Sequence, residues 1–399
     1  MSSRIYEHFE VVIAGAGSSG ISAAAQAAKQ GARVCILEKE ASVGGGFVHA
    51  GLTSFVRALD YEILPGMYSI CVDRNQYFSV DPRKLQQFYY DLLYQQNILL
   101  ISSAWVMGAE QENGMINHLS VLTREGSMQI DGEVFIDATG DGDLSFLCSV
   151  PFTEGREEDG SSMPPIFCFT LKNCKDGWKD LRVEKEKLSA FGISDIRLSC
   201  GLLENEVTVM LLDKRKAKAS SAIDRARVDM DLRASVIPVF SYLREHDAFS
   251  ESTMASWGDH IVFPEGRHPQ GRMILDTENL VKGTHFEDWV VSNISSPMNL
   301  TGMEDIEETA MVSCYDIPYR ALIPLRVKNL LLSGRCISGT HRAHGSFRSL
   351  ETTMATGQAA GAAAVQALEK NKKVQKVDIK RLQKTMMDNG MKLPYWAMI

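Results

Sequence analysis

An α/β fold is what this sequence predicts: a parallel sheet carrying a small antiparallel meander, with an α+β unit inserted into it. Three observations lead there. Residues 11–38 run from an apolar strand through a glycine turn and a helix of small residues to a second apolar strand with an acid at its tip. That is the order a βαβ unit requires. Residues 135–143 and 329–336 are two further apolar runs that each break into a glycine turn. Between them, residues 151–310 change texture, with Pro164-Pro165, charged stretches and only short strand-like runs. The chain therefore reads as a Rossmann-like dinucleotide-binding domain split over 1–150 and 311–399, with 151–310 as a substrate domain. Its 399 residues leave room for two or three domain-sized units.

The first βαβ unit carries the most chemistry. Gly15 allows the tight turn off the strand, and Gly17 lets a pyrophosphate approach the backbone. Gly20 lets the helix pack closely on the sheet. Ser18 and Ser19 open the helix, whose free N–H groups face phosphates. Glu38, followed by Lys39, lies 23 residues after Gly15 at the tip of the second strand, where a carboxylate can accept hydrogen bonds from ribose hydroxyls.

Further elements follow in order. A glycine-rich loop, 41–53, contains Gly45, Gly46 and His49. Asp81-Pro82 is a helix start, and Leu85, Phe88, Tyr89, Leu92 and Leu93 recur at helical spacing through 95. Three β runs at 98–106, 116–123 and 127–136, separated by polar turns at 110–114 and 124–126, read as the meander. In the insertion, 166–172 and 206–212 read as strands and 221–245 as an amphipathic helix, while 246–310 has no readable period. A buried strand at 329–336, a loop with two histidines and an Ala- and Gly-rich helix at 350–369 close the chain.

The bulk numbers exclude several classes. Apolar content of 45% and charged content of 23% are ordinary for a globular protein. A net charge of −8 argues against a nucleic-acid surface. The eight cysteines form no CxxC pair and no metal-ligand cluster, so no metal is expected, and a reduced, cytoplasmic setting is. The polar lead passes directly into a strand, so no signal peptide is expected. No apolar run reaches about 18 residues, so neither is a membrane span.

Taken together, these motifs resemble the FAD-oxidored family of FAD-dependent oxidoreductases, within the glutathione-reductase-like superfamily of two-dinucleotide-binding-domain flavoproteins. Three stretches carry the resemblance: Gly15-x-Gly17-x-x-Gly20 with Glu38; Phe135-Ile-Asp-Ala-Thr-Gly-Asp-Gly-Asp-Leu144; and Ile317-Pro-Tyr-Arg with Asn329-Leu-Leu-Leu-Ser-Gly-Arg-Cys-Ile-Ser338, His344-Gly-Ser-Phe-Arg348 and Gly357-Gln-Ala-Ala-Gly361. The middle departs from the family, showing only Arg267-His-Pro-Gln-Gly-Arg272 where an Arg-rich run before a tyrosine is usual. The resemblance implies FAD as cofactor. Glu38 would bind the adenosine ribose and the Val106 backbone would meet the adenine. Ala138, Thr139, Gly140 and Asp141 would form the second cofactor turn, and Gly334 and Arg335 would lie near the ribityl chain, with Ser346 among the cofactor contacts. The N-terminus of the last helix would point at the isoalloxazine C2 carbonyl, where its partial positive charge suits reduced flavin. His49 would lie in the loop beneath the flavin, where related fumarate-reductase-like enzymes join a histidine covalently to it.

The candidate catalytic residues are His341, His344, Arg320 and Arg348. A histidine beside the flavin could take a proton during hydride transfer, and either arginine could clamp a substrate carboxylate. Arg267, His268 and Arg272 could form an anion patch, whereas Asp137 and Asp143 read as organisers of the second turn and Cys336 as packing. With no second GxGxxG after a strand and no dithiol, disulfide-reductase chemistry is excluded. The expected reaction is hydride transfer between flavin N5 and a small polar or anionic substrate, as dehydrogenase or C=C reductase. The alternative is a flavoprotein subunit or modification scaffold that needs a protein partner. The expected partners are a small-molecule substrate and an electron acceptor or donor that the residues do not name. A homodimer is compatible with the sequence, though nothing in it shows an interface.

Overall fold

A computed structural model describes residues 4–5, 8–215, 217–299, 309–310 and 312–395. Part of the polar lead, at 1–3 and 6–7, lies outside the described residues, as do the expected domain boundary at 311 and the last four residues. Named in chain order, the first part contains β1 (Phe9–Ala14), α1 (Ser18–Lys29), β2 (Val34–Leu37), α2 (Gly45–His49), α3 (Pro82–Gln95), β3 (Leu99–Ile101), β4 (Trp105–Glu112), β5 (Met115–Thr123) and β6 (Gly126–Asp137). The insertion contributes β7 (Ile166–Lys172), β8 (Ile193–Cys200), β9 (Val207–Asp213), α4 (Ala222–Leu243) and β10 (Thr253–Trp257). The chain returns with β11 (Leu330–Leu332), α5 (His341–Phe347) and α6 (Leu350–Leu368).

The parallel sheet runs β3-β2-β1-β6-β11. Ile13 pairs with Ile36 on one side and Ile136 on the other, and Ile136 with Leu331, so a fully buried aliphatic row crosses the sheet. Such continuous apolar runs are what a parallel sheet covered on both faces demands. Strand β6 belongs to two sheets. Its first half, 126–131, pairs antiparallel with β5, which pairs with β4, and its second half joins the parallel sheet. This is the expected meander, with one correction. The run 98–106 is not one strand: Leu99–Ile101 extends the parallel sheet beside β2, and the meander strand starts at Trp105. Ser103, at φ 52°, breaks the run between them.

Helix α3 starts as its sequence dictates. The Asp81 side chain accepts a hydrogen bond from the Arg83 N–H at 2.9 Å, Pro82 fills the first position, and Leu85, Tyr89 and Leu93 form the buried stripe. In the insertion, an antiparallel sheet runs β8-β9-β7-β10. Alternate residues Phe167, Phe169 and Leu171 with Val207, Val209 and Leu211 are buried in one cluster with Val228, Leu232, Val236, Val239 and Leu243 of α4. A strand that sequence reasoning missed, Trp289–Ile294, pairs antiparallel with Tyr315–Pro318. Among the described residues no helix is long and apolar enough to cross a membrane.

Helices α1 and α6 meet backbone to backbone. A Cβ added at Gly357 would overlap the Ser19 carbonyl, and one at Gly361 the Ala23 carbonyl. The small residues of α6 therefore seat it on α1, which fixes where the first turn of α6 stands relative to the glycine turn.

Candidate functional site

A cleft of about 640 Å³ opens at the C-terminal ends of the parallel strands, where ligands bind in open α/β sheets. Gly15, Gly17, Ser18, Ser19, Glu38, Lys39, Gly45, Gly46, His49, Val106, Ala138, Thr139, Gly140, Asp141, Gly334, Arg335 and Arg348, all singled out in the sequence, line it together. Gly20 lies beneath it: a Cβ there would overlap the Gly15 carbonyl, so this glycine serves the close packing expected of it.

The glycine turn is a cradle that side chains would fill. Gly15 has φ +100°, and a Cβ on it would meet the Ala138 carbonyl. The glycine-rich loop docks on the same turn, through the Gly44 N–H donating to the Ala16 carbonyl at 2.9 Å. Glu38 is buried and accepts backbone N–H groups from Ala16 at 2.6 Å and Glu40 at 2.9 Å, one on each oxygen. Burial raises its pKa and these two bonds partly offset that. Each oxygen keeps a lone pair for a ribose hydroxyl. Lys39 lies over the Trp105 ring at 5.7 Å, beside Val106. At His49, Nε2 lies 3.2 Å from the Ser42 carbonyl, and the ring stands edge-on to His260 at 5.4 Å.

The second turn is organised by acids. Asp137 accepts from the backbone and hydroxyl of both Thr139 and Ser145. Asp141 is gripped by Arg335 at 3.2 Å and by Arg225 of α4, which ties the insertion to the turn. Burial alone would raise the Asp141 carboxyl, but Arg335 and Arg225 overcome it and hold it below the usual carboxylate range. A depressed carboxyl contributes stability that is present above its unfolded pKa and lost as pH falls through the folded value. Arg225→Ala removes one of the two cations, so the acid-unfolding midpoint followed by circular dichroism is expected to move to higher pH. Stability at pH 7 should drop by roughly 1.5–3 kcal/mol, the usual worth of a hydrogen bond to a charged group. An unchanged acid midpoint would show that α4 is held by its apolar core alone.

Besides Gly20, four expected site residues do not reach the cleft wall. Ser346 is fully buried, donating to the Ser296 carbonyl and accepting from the Tyr315 hydroxyl at 2.9 Å, so it serves packing. His341 and His344 lie one layer behind, at 5% and 0% exposure. Arg320 points elsewhere: its guanidinium makes a two-pronged pair with Asp288 at 2.9 and 3.0 Å, half exposed. It is thus committed as a structural ion pair and is not available as an anion clamp in the cleft. Of the expected anion patch, Arg267 is spent on Asp143 at 2.9 Å and lies over the Phe146 ring, while His268 turns inward. Cys336 is buried and its thiol is pushed well above its ordinary value by burial, consistent with packing.

Several lining residues escaped the sequence reading. Arg225 and Arg233 of α4 and Phe263 form the opposite wall. Leu350 and Thr353 bring the first turn of α6 to the cleft beside Arg348. Arg348 is half-buried there, and desolvation of its guanidinium together with the Arg335 charge pushes its pKa down to about 10. Glu351, in the same turn, accepts the Ala58 and Leu59 N–H groups and the Tyr68 hydroxyl, so it ties loop 58–68 to α6.

Comparison with known proteins bears on the family and on the fold. The family described as "FAD dependent oxidoreductase" matches residues 10–386. A geranylgeranyl bacteriochlorophyll reductase-like protein from Thermoplasma acidophilum superposes with a TM-score of 0.53 at 12% identity, over 96% of this chain and 84% of that one. The flavin-dependent brominase Bmp2 superposes with a TM-score of 0.50 at 11% identity, over 96% and 83%. At such identities the likeness concerns the fold. No curated protein matches the sequence.

Proposed function

We propose, from the premise that this chain belongs to the FAD-dependent oxidoreductase family, that it moves a hydride between flavin N5 and a carbon of a small polar or anionic organic substrate. FAD is its cofactor and supplies the two-electron chemistry when bound. The residues present fit it. Gly15, Gly17 and the start of α1 would take the pyrophosphate, Glu38 the adenosine ribose, Val106 the adenine, and Asp141, Gly334 and Arg335 the ribityl region. The wider glutathione-reductase-like membership and a reduced, cytoplasmic setting belong to the same reading, and the eight free cysteines accord with the latter.

The observation that carries the choice of substrate is Arg348, a half-buried guanidinium on the cleft wall next to a second one, Arg335, and the first turn of α6. With Arg335 already paired to Asp141, the Arg348 guanidinium and the helix N-terminus together favour an anion. Bound oxidised flavin should bleach under anaerobic conditions on addition of one or more small hydroxy, amino or saturated carboxylic acids. Arg348→Met should keep its flavin and raise KM for that acid at least tenfold, about 1.4 kcal/mol. If neutral analogues bleach the flavin equally well, or Arg348→Met leaves KM unchanged, the anion clamp is wrong.

A second reading, a flavoprotein subunit or modification scaffold that works with a protein partner, is favoured by one surface. Ile223, Met230 and Ile237 recur every seven residues along α4 and are 64%, 71% and 59% exposed, on a helix whose Arg225 and Arg233 line the cleft. Turnover by the purified chain alone would remove the need for that partner.

A further inference from the structure

Trp105, the first residue of β4, lines the cleft and is 55% exposed. Its indole covers no core. Val106 packs on a buried cluster shared by the meander and the parallel sheet, whereas Trp105 joins none of the apolar clusters among the described residues. Its cross-strand partner, Leu122, is itself 44% exposed. A half-open indole on a cleft wall is a surface that a flat ring in the cleft would cover, since pockets hold such ligands with aromatic side chains.

Backbone pairing fixes where the indole stands. The Ala104 N–H donates to the Glu38 carbonyl at 2.9 Å and the Ser103 N–H to the Glu40 carbonyl at 2.9 Å, so 103–105 runs alongside the tip of β2. Trp105 is thus next in the chain to the residue paired with Glu38, whose carboxylate keeps lone pairs for a ribose. A base on that ribose lies within reach of the indole. One face of the ring is already taken, because the Lys39 ammonium stands 5.7 Å from its centroid. Lys39 lines the cleft too, so the face it covers is the one turned to the cleft. A ring lying between the two would need roughly 7 Å, two contacts of about 3.5 Å each. Base and ammonium are therefore alternatives on one face. Lys39 has a second partner to turn to, the Asp143 carboxylate, already 3.7 Å from its ammonium.

We infer that the indole face of Trp105 is the platform on which the adenine stacks, with Lys39 covering that face until the nucleotide arrives and then turning to Asp143. The inference deepens the FAD reading and rests on it. The indole supplies affinity and not choice, because every base has a π-face. Discrimination is left to the Val106 backbone at the edge of the base. The adenosine half of the cofactor is then a source of affinity in its own right, and an adenine nucleotide without a flavin binds the same wall.

The test is a titration of the full chain, freed of nucleotide, with ADP and separately with FAD, followed by calorimetry and by tryptophan fluorescence. ADP should bind and quench part of the emission of the five tryptophans. Trp105→Ala, with native circular dichroism, should weaken ADP and FAD by the same factor, about 5- to 150-fold, the worth of one base stacked on an aromatic ring. Trp105→Phe should keep most of the affinity, because a ring remains, and lose the quenching. Full affinity in Trp105→Ala, a loss seen with FAD and not with ADP, or quenching that survives in Trp105→Phe would overturn the platform. A chain that takes ADP on Trp105 and never takes FAD would keep the platform and refute the flavin reading. A chain that binds neither would refute both.

Discussion

Gly17→Val is expected to fold normally and to lose its flavin. The position is extended backbone, φ −71° and ψ 177°, so valine brings no conformational strain. A Cβ there would meet only the Gly45 Cα, at 3.7 Å, an ordinary contact. The protein itself thus has room for the side chain. That room is the cleft, at the point where the pyrophosphate must touch the first turn of α1. A branched side chain there blocks the approach and screens the α1 N–H groups. The expected loss of FAD affinity is at least 100-fold, about 2.7 kcal/mol, read by flavin content after gel filtration and by titration. Gly15→Val makes the contrast: at φ +100° and against the Ala138 carbonyl it should damage the fold as well. A folded Gly17→Val protein carrying full flavin would mean that the cofactor lies elsewhere.

Gly357→Ala should destabilise the protein although it improves helix propensity. Alanine in a helix interior is worth about 1 kcal/mol over glycine. Here the new methyl would run into the Ser19 carbonyl, which is backbone and cannot rotate away. Overpacking of this kind typically costs 1–3 kcal/mol or more, and the strain falls on the α1–α6 contact that sets the cleft. With the propensity gain subtracted, the net expectation is a loss of up to roughly 2 kcal/mol, measured by denaturant unfolding, together with weakened flavin binding. Gly361→Ala, against the Ala23 carbonyl one turn on, should repeat the loss of stability with a smaller effect on flavin, being farther from the first turn of α6. A stabilised Gly357→Ala protein would show that the two helices can part without cost.

Both predictions draw on features that short-range sequence patterns reveal. The glycines at 15, 17 and 20, the acid at 38 and the Asp81-Pro82 helix start are local signals, because turn geometry and capping depend on neighbours in the chain. The turn acids Asp137 and Asp143 were legible for the same reason. What stayed hidden depends on distant partners. Ser292 and Asn293 lie in the buried strand Trp289–Ile294, where the Lys392 and Leu393 carbonyls accept their side chains from the far end of the chain, so its polarity disguised it as loop. The meander's first run was misjudged because a single backbone reversal at Ser103 sends its two halves to different sheets. Arg320 and Ser346 sit in motif-like stretches, but whether such a side chain turns toward the cleft is decided by Asp288 and Ser296, which sequence spacing does not reveal. Glu265 was a further omission. A carboxylate three residues before His268 was visible, but only tertiary structure brings His341 to the same carboxylate and the His344 ring against His268.

The central claim is that this cleft holds FAD for redox chemistry. The most direct test is the visible absorption spectrum of the purified protein, taken before and after acid precipitation. The account predicts a flavin spectrum that moves into the supernatant and is identified there as FAD; colour that stays in the pellet would instead make His49 a covalent ligand in the same cleft. A colourless protein that takes up no FAD even when it is added in excess would contradict the account.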